Sequence, residues 1–207
     1  LKHRYLDKIY NAVPKMVGRK FVYARVDNTI KSRELKGALE LLEKAGVVKK
    51  IKRTSGAGLP LEASVKDTYF KVLFLDVGLF HAVNGIYSDT VRAKDFTSLF
   101  KGAVAEQFVG QELLAYQNPY TKPSLFYWVR EAKNSSAELD YLIQKEGEAI
   151  PIEVKSGSIG RLKSMHMFME KYQVRQGIKI SQAPYDSKNQ IISLPLYSLE
   201  GFVRKNI

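Results

Sequence analysis

The chain has 207 residues, of which 45% are hydrophobic, and it contains no cysteine. The apolar fraction is enough for a folded core, while the lack of cysteine excludes disulfides, thiolate metal sites and cysteine nucleophiles. The formal net charge is +12, with 15 Lys/Arg against 5 Asp/Glu in residues 1–56 and 18 against 16 in residues 57–207. The excess positive charge belongs to the N-terminal quarter, which fits a nucleic acid, an anionic surface, an acidic partner or a solvated lysine-rich face.

The sequence indicates a cytoplasmic protein that does not associate with membranes. No apolar run approaches the roughly 20 residues that span a bilayer. The first residues, LKHRYLDKIY, do not form a signal peptide, and they do not start with methionine. We therefore expect the chain to be part of a longer protein.

The first 75 residues show a helical pattern followed by two extended segments. Tyr5, Ile9 and Val13 recur at helical spacing, and KSRELKGALELLEKAG predicts a second helix that ends at Gly46. A basic strand, VVKKIKR, a turn, TSGAGLP, and the extended segment TYFKVLFLD follow. Helix, turn, helix, strand, glycine-rich tip and strand is the order of a winged helix, so we predict a basic winged-helix module in residues 1–75.

Basic residues of this module are candidate contacts to DNA phosphates. The second helix carries Glu40 and Glu43 on its outer face, which would repel phosphate, so simple packing is the alternative for that helix. The strand and the wing offer better contacts than the helix. The candidate nucleic-acid-binding residues are Lys36, Lys49, Lys50, Lys52 and Arg53.

Residues 76–207 predict a mixed α/β domain. DVGLFHAVNG predicts a short helix, and residues 98–116 predict a longer one. LFYWVR is a strong strand, SAELDYLIQKEGEAIPIEVKSG predicts a hairpin, and RLKSMHMFMEKYQ predicts a helix before two closing strands, IKI and IISLPLY. The order of the core is therefore helix, three strands, helix and two strands.

The predicted hairpin has one apolar and one charged side. An even turn centred on Glu146-Gly147 places Asp140 opposite Glu153, with Cβ atoms at about 5 Å. Any odd turn would scramble the apolar side, because a one-residue slip moves every side chain to the other face. In the even register the apolar pairs are Leu139 with Val154, Tyr141 with Ile152, and Ile143 with Ile150.

Two carboxylates at this distance repel each other unless a positive charge lies between them. Mg²⁺ or Mn²⁺ would fit, since Mg²⁺ takes oxygen ligands, and Lys155 points to the same side as Glu153. Glu106 is a candidate third acid, because its helical row is otherwise apolar. The alternatives are an ordinary exposed sheet face for the hairpin residues and a boundary glutamate for Glu106.

Glu106 on a helix, Asp140 on one strand and Glu153-Val154-Lys155 on the next resemble the PD-(D/E)XK nuclease superfamily. The order of predicted elements is similar to its restriction-endonuclease-like αβββαβ core, and IEVKSG resembles the RecB-like and Holliday-junction-resolvase branches. The resemblance implies that Asp140 and Glu153 bind Mg²⁺ with help from Glu106. It also implies that Lys155 positions the attacking water.

A second resemblance covers most of the chain. ELKGALELLEKAGVV, LDVGLFHAVNG, KGAVAEQFVGQELL, AELDYLI and PIEVKSG together resemble a C-terminal domain of unknown function that follows the core of prokaryotic AAA-type ATPases. No GxxxxGK[ST] loop exists in this sequence, so no ATP site is expected here, and the ATPase domain is expected before residue 1. The implied function is Mg²⁺-dependent cleavage of DNA, and the alternative is a catalytically silent DNA-binding, regulatory or protein-interaction domain.

Overall fold

The computed structural model describes residues 3–86, 98–131, 137–145, 147–157 and 160–206. These residues form seven α-helices and eight β-strands. The helices are α1 (His3–Ala12), α2 (Tyr23–Val26), α3 (Ser32–Lys44), α4 (Val77–Val83), α5 (Ser98–Ala115), α6 (Lys163–Tyr172) and α7 (Leu199–Asn206). The strands are β1 (Val48–Thr54), β2 (Val65–Phe74), β3 (Phe126–Val129), β4 (Glu138–Lys145), β5 (Glu148–Val154), β6 (Gly177–Ser181), β7 (Asp186–Lys188) and β8 (Ile191–Pro195). None of the described helices is long and apolar enough to cross a membrane.

The strands form one mixed sheet in the order β2-β1-β3-β4-β5-β6-β8-β7. The pairs β1–β3, β5–β6 and β6–β8 are parallel, and β3–β4, β4–β5 and β7–β8 are antiparallel. Helices are interspersed with these strands along the chain. The predicted mixed α/β class is therefore confirmed.

The chain folds into two compact units, each built from two segments. The first unit contains Leu1–Ile51 and Tyr69–Gln111, and the second contains Lys52–Thr68 and Glu112–Ile207. The boundary expected between residues 75 and 76 thus falls inside a segment of the first unit.

Helices α1 and α3 of the first unit lie where the sequence predicts them, and the short helix α2 between them is not predicted. Ile9 of α1 and Leu35 and Leu39 of α3 are fully buried, because apolar residues at helical spacing gather on one face of each helix. Helix α3 ends before Gly46, whose φ of +78° is the left-handed conformation that glycine adopts most easily after a helix. Apart from α2 and two short 3₁₀ helices, the order of helices and strands in residues 1–75 is the one expected from the sequence.

The second unit has its core between the sheet and helix α6. Met165, Phe168 and Met169 of α6 pack against buried residues of β3, β4, β5 and β8. Trp128 of β3 meets the Phe168 ring edge to face, with ring centroids 5.2 Å apart. The helix thus buries the apolar residues Met165, Phe168 and Met169 of the predicted segment RLKSMHMFMEKYQ.

The segment predicted as the tip of a wing, TSGAGLP, packs into the second unit instead of forming a free tip. Leu61, directly after it, is fully buried in the same cluster as Phe168. Gly56 lies so close to the Phe168 ring that an added Cβ atom would be 2.7 Å from it. The Tyr172 hydroxyl donates a 2.7 Å hydrogen bond to the carbonyl oxygen of Ser55.

The predicted register of the β4–β5 hairpin is confirmed over its outer part. Tyr141 pairs with Ile152, and the pairing continues without a shift to Lys145 and Glu148. Glu146, predicted at the turn, lies outside the described residues.

The inner part of β4 departs from the regular alternation that the sequence predicts. Phe126 pairs with Leu142 and Trp128 pairs with Leu139, so two steps along β3 correspond to three steps along β4. This is a β-bulge, and it spans Asp140 and Tyr141. As a consequence, Leu139 joins Leu142 in the core beneath α6, where strict alternation would have placed it on the side of Tyr141 and Ile143.

Candidate functional site

The sheet face beneath α6 is apolar along its first part. Ala149 of β5 and Ile191 of β8 belong to the cluster around Met165 and Met169. Between their strands lies Gly177 of β6, where an added Cβ atom would come within 2.6 Å of the Met165 sulfur. The small residue at this position therefore lets α6 approach the sheet closely.

Two residues further along β6 and β8, and four residues further along β5, the same face becomes polar. Glu153 of β5 pairs with Lys179 of β6, and Lys179 pairs with Ser193 of β8. Directly paired residues point to the same side of a sheet, and side chains repeat on one face every second residue. Glu153, Lys179 and Ser193, called the polar row below, therefore follow the apolar floor on the same face.

Glu153 is paired with Lys155. The Lys155 Nζ donates to Glu153 Oε1 at 2.5 Å, and 10% of the glutamate side chain and 27% of the lysine side chain are exposed. The backbone N–H of Lys155 donates to the carbonyl oxygen of Ile180 on β6, which fixes the end of the strand. Gly160 packs against the aliphatic stem of Lys155, since an added Cβ atom would be 2.7 Å from the lysine Cδ.

Asp140 reaches β5 through the bulge. Its Oδ2 accepts a 2.7 Å hydrogen bond from the backbone N–H of Val154, the residue between Glu153 and Lys155. This contact ties the carboxylate to the end of β5. The hairpin thus gathers Asp140, Glu153 and Lys155 at one end, as the sequence predicts, although the bulge replaces the simple cross-strand pair.

Glu106 has a different environment. It belongs to the first unit, where its Oε2 lies 3.8 Å from the Nζ of Lys71, a residue of β2 whose side chain is only 2% exposed. Gly18, with φ of +74°, packs directly on the Glu106 carboxylate, so that an added Cβ atom would be 2.6 Å from Oε2. Asp140, Glu153 and Lys155 belong to the second unit.

The donor set of the hairpin fits a hard divalent cation. Mg²⁺ in proteins is commonly held by one or two carboxylates together with water and phosphate oxygens. One carboxylate oxygen of Asp140 accepts a hydrogen bond from the Val154 N–H, and the other oxygen could bind a cation. One carboxylate oxygen of Glu153 accepts a hydrogen bond from Lys155. A cation on that oxygen would replace the lysine. Among the described residues no three His, Asp or Glu side chains come together as a metal site.

Lys179 and Ser193 are polar-row residues that the sequence does not single out. Lys179 is half-buried in IKI, a segment read only as a closing strand. The relevant signal is the parallel register of β5, β6 and β8, which places these residues beside Glu153. No single-sequence pattern specifies that register.

Four of the five basic residues expected to contact phosphate pair with carboxylates of their own unit. Lys50 lies 2.8 Å from Glu43, and Arg53 lies 3.1 Å from Glu131. The neighbouring Lys66, with a smaller contribution from Arg53, holds the pKa of Glu131 below its usual value. Lys36 pairs with Glu40 at 3.8 Å and Lys52 with Glu62 at 2.5 Å. In the described part of the chain, Lys49 is the member of the set without a carboxylate partner.

Comparison with known families gives two matches. A domain of unknown function, DUF8612, matches residues 1–90, which contain all five of those basic residues. No curated protein and no solved structure matches the chain. A second domain of unknown function, DUF4143, matches residues 101–198, which contain Glu106, Asp140, Glu153 and Lys155, and this domain is commonly found after AAA ATPase domains.

Proposed function

We propose that the second unit is a Mg²⁺-dependent nuclease domain of the PD-(D/E)XK type, carried by a protein that also contains an AAA-type ATPase. The supporting observation is the clustering of Asp140, Glu153 and Lys155 at the polar end of a sheet face that α6 covers. Acidic residues on two adjacent strands supply carboxylate oxygens for a divalent cation, and the lysine two positions on supplies positive charge for a phosphate oxygen.

In this proposal Asp140 and Glu153 hold the cation. The cation, when bound, supplies positive charge at the scissile phosphate and a bound water of lowered pKa. Lys155 leaves Glu153 Oε1, turns to a non-bridging phosphate oxygen and stabilises the charge that develops there. Because Gly160 has no side chain, the lysine stem lies directly against it.

The proposed substrate is DNA, held by the basic N-terminal module. Lys49 offers a direct contact to phosphate, and the residues paired to carboxylates can contribute only by exchanging partners. Binding of this kind is dominated by phosphate contacts and weakens steeply with salt. Glu106, which packs with Lys71 and Gly18, has a structural role in this proposal.

A second candidate is a catalytically silent domain that binds DNA or regulates the ATPase. The Lys155–Glu153 ion pair favours it, because the pair already neutralises the buried carboxylate without a cation. In that case the polar end of the sheet would serve fold stability or docking, and no divalent ion would be needed.

The test is cleavage of supercoiled plasmid and of labelled oligonucleotides in Mg²⁺ and in Mn²⁺. Asp140→Asn and Glu153→Gln should each reduce cleavage by at least about 100-fold, since each removes a ligand of the cation. Glu148→Gln, at the other end of β5 and paired with the exposed Arg175, is the matched control and should cut like the wild type.

Cleavage that Glu153→Gln leaves unchanged would contradict the assigned site. A wild-type protein that binds DNA but does not cut it in either metal would favour the silent domain.

A further inference from the structure

The polar row extends beyond the residues of the nuclease motif. Lys179 lies beside Glu153 on the next strand, and Ser193 lies beside Lys179 on the strand after that. Neighbouring strands are about 4.8 Å apart, so the row runs about 10 Å from β5 across the sheet. It therefore reaches past the scissile position that Asp140 and Glu153 define.

The two added residues are both hydrogen-bond donors on the polar end of the face. Lys179 and Ser193 are half-buried, so each stays accessible from solvent. No described residue is a hydrogen-bond partner of the Ser193 hydroxyl. Lysine and serine side chains are among the usual contacts to phosphate oxygens of nucleic acids.

The row ends at β7. Asp186 pairs with Ser193 across the antiparallel β7–β8 ladder, and its carboxylate lies 3.3 Å from the Nζ of Lys188. A carboxylate repels phosphate, so Asp186 limits the part of the row that can bind phosphate to β5, β6 and β8. Lys155 and Lys179 supply positive charge at this end of the sheet face.

We infer that Lys179 and Ser193 form a phosphate subsite that holds the sugar–phosphate backbone of a nucleic acid beside the carboxylate pair. The inference rests on the proposed nuclease function for the role of that subsite, which is to position the strand. Lys179 is a positioning residue here, and Lys155 remains the lysine at the reacting phosphate.

The test measures binding of a short labelled duplex by fluorescence anisotropy in EDTA, where no metal-dependent cleavage occurs, over a series of salt concentrations. Lys179→Gln should weaken binding roughly tenfold at low salt, as expected for one lost charge-assisted contact. The plot of log affinity against log salt should become shallower by about 0.9, as expected for one lost phosphate contact. Ser193→Ala should weaken binding about threefold without changing this slope, because a hydroxyl releases no counterion.

Three further variants make the result specific. Lys179→Arg should retain the wild-type slope. Lys171→Gln, an exposed charge change at the last turn of α6, should retain both slope and affinity. Lys179→Met is measured in parallel, so that a folded variant without the charge is available if Lys179→Gln unfolds.

An unchanged salt slope in Lys179→Gln and Lys179→Met overturns the inference. If these variants lose stability but keep the wild-type salt slope, the role of Lys179 is only to neutralise Glu153. That result also overturns the inference. A wild-type protein that binds no duplex at any salt overturns it as well. A wild-type protein that fails to cut in Mg²⁺ while Lys179→Gln still flattens the slope refutes the nuclease function and leaves the subsite standing.

Discussion

Lys71–Glu106 in the first unit and Lys155–Glu153 in the second unit are both lysine–glutamate pairs packed against a glycine. In the first unit Lys71 is 2% exposed and lies 3.8 Å from Glu106, beneath Gly18. In the second unit Lys155 is 27% exposed and lies 2.5 Å from Glu153, beside Gly160. The difference is access to water, because Lys155 can move its charge into solvent and Lys71 cannot.

This difference separates a lysine held in the interior from a lysine that can exchange one partner for another. A buried charge that loses its partner cannot reach water, so removing the partner lowers stability strongly. A partly exposed lysine on a flexible stem can exchange one partner for another at little cost. Under the proposed function Glu106 therefore has a structural role and Glu153 binds the cation, although the sequence groups them in one site.

Removing Glu106 should have the largest effect on stability. In Glu106→Gln the Lys71 ammonium group would remain almost entirely buried, and we expect a loss of about 3 kcal/mol in the free energy of unfolding. Urea denaturation measures this loss. The double variant Lys71→Met with Glu106→Gln should recover part of it, since it removes both charges. Equal stability of Glu106→Gln and the wild type would contradict the structural role.

Gly18→Ala should be the next most destabilising change. The new Cβ atom would lie 2.6 Å from Glu106 Oε2, and alanine disfavours a φ of +74°, so a cost of about 2 kcal/mol is expected. Gly46→Ala is the matched control, because Gly46 has a φ of +78° and no atom within 4 Å of the added Cβ. The control should lose about 1 kcal/mol from backbone strain alone. If Gly18→Ala and Gly46→Ala lost the same stability, the predicted clash between the new methyl group and Glu106 would be contradicted.

A glycine-to-alanine change beside the Lys155–Glu153 pair should lower the free energy of unfolding only slightly. Gly160→Ala places a methyl group 2.7 Å from Lys155 Cδ, but the flexible lysine stem can move aside, and the expected loss is below about 0.5 kcal/mol. The proposed cleavage should nevertheless fall, since Lys155 is displaced from its position beside Glu153. Thermal unfolding and plasmid cleavage on the same preparation check both outcomes. A loss of stability as large as that of Gly18→Ala would mean that the second pair is as rigid as the first.

The smallest effect is expected at a surface pair, Lys8 with Asp27. Hydrogen bonds from Lys8 and from Thr29 hold the pKa of Asp27 well below its usual range. The folded state therefore binds fewer protons than the unfolded state in acid, so this contribution is present above about pH 4 and is lost as the pH falls. Asp27→Asn should lower the urea midpoint slightly at pH 7 and by less at pH 2, because the contribution shrinks as the pH falls below the unfolded-state pKa. A difference as large at pH 2 as at pH 7 would contradict this assignment.

Much of the fold follows from local sequence patterns. The apolar stripes of α3 and α6 and the alternation in the β4–β5 hairpin predict those elements and the register from Tyr141 to Lys145. The bulge at Asp140 does not follow from them, because it depends on how β3 pairs with β4. Asp140 approaches β5 all the same, through a hydrogen bond to the backbone of Val154.

The environment of the charged residues is harder to predict than the elements that carry them. An acidic residue in an apolar helical row indicates a partner, and Glu106 has one in Lys71, but nothing local specifies that the partner is a buried lysine on β2. Lys179 reaches the polar row through parallel pairing of strands that are far apart in the chain. Both cases depend on tertiary contacts, which single-sequence periodicity does not contain.

The fully buried Leu61 and the parallel pairing of Lys52 to Thr54 with β3 have a consequence for dissecting the protein. Arg53 and Val129, which share a hydrogen bond, are 76 residues apart. During synthesis β1 therefore cannot pair with β3 until β3 has left the ribosome. A fragment that starts at residue 76 would lack strands β1 and β2 and the buried side chain of Leu61, so an activity assay on that fragment would test a damaged domain.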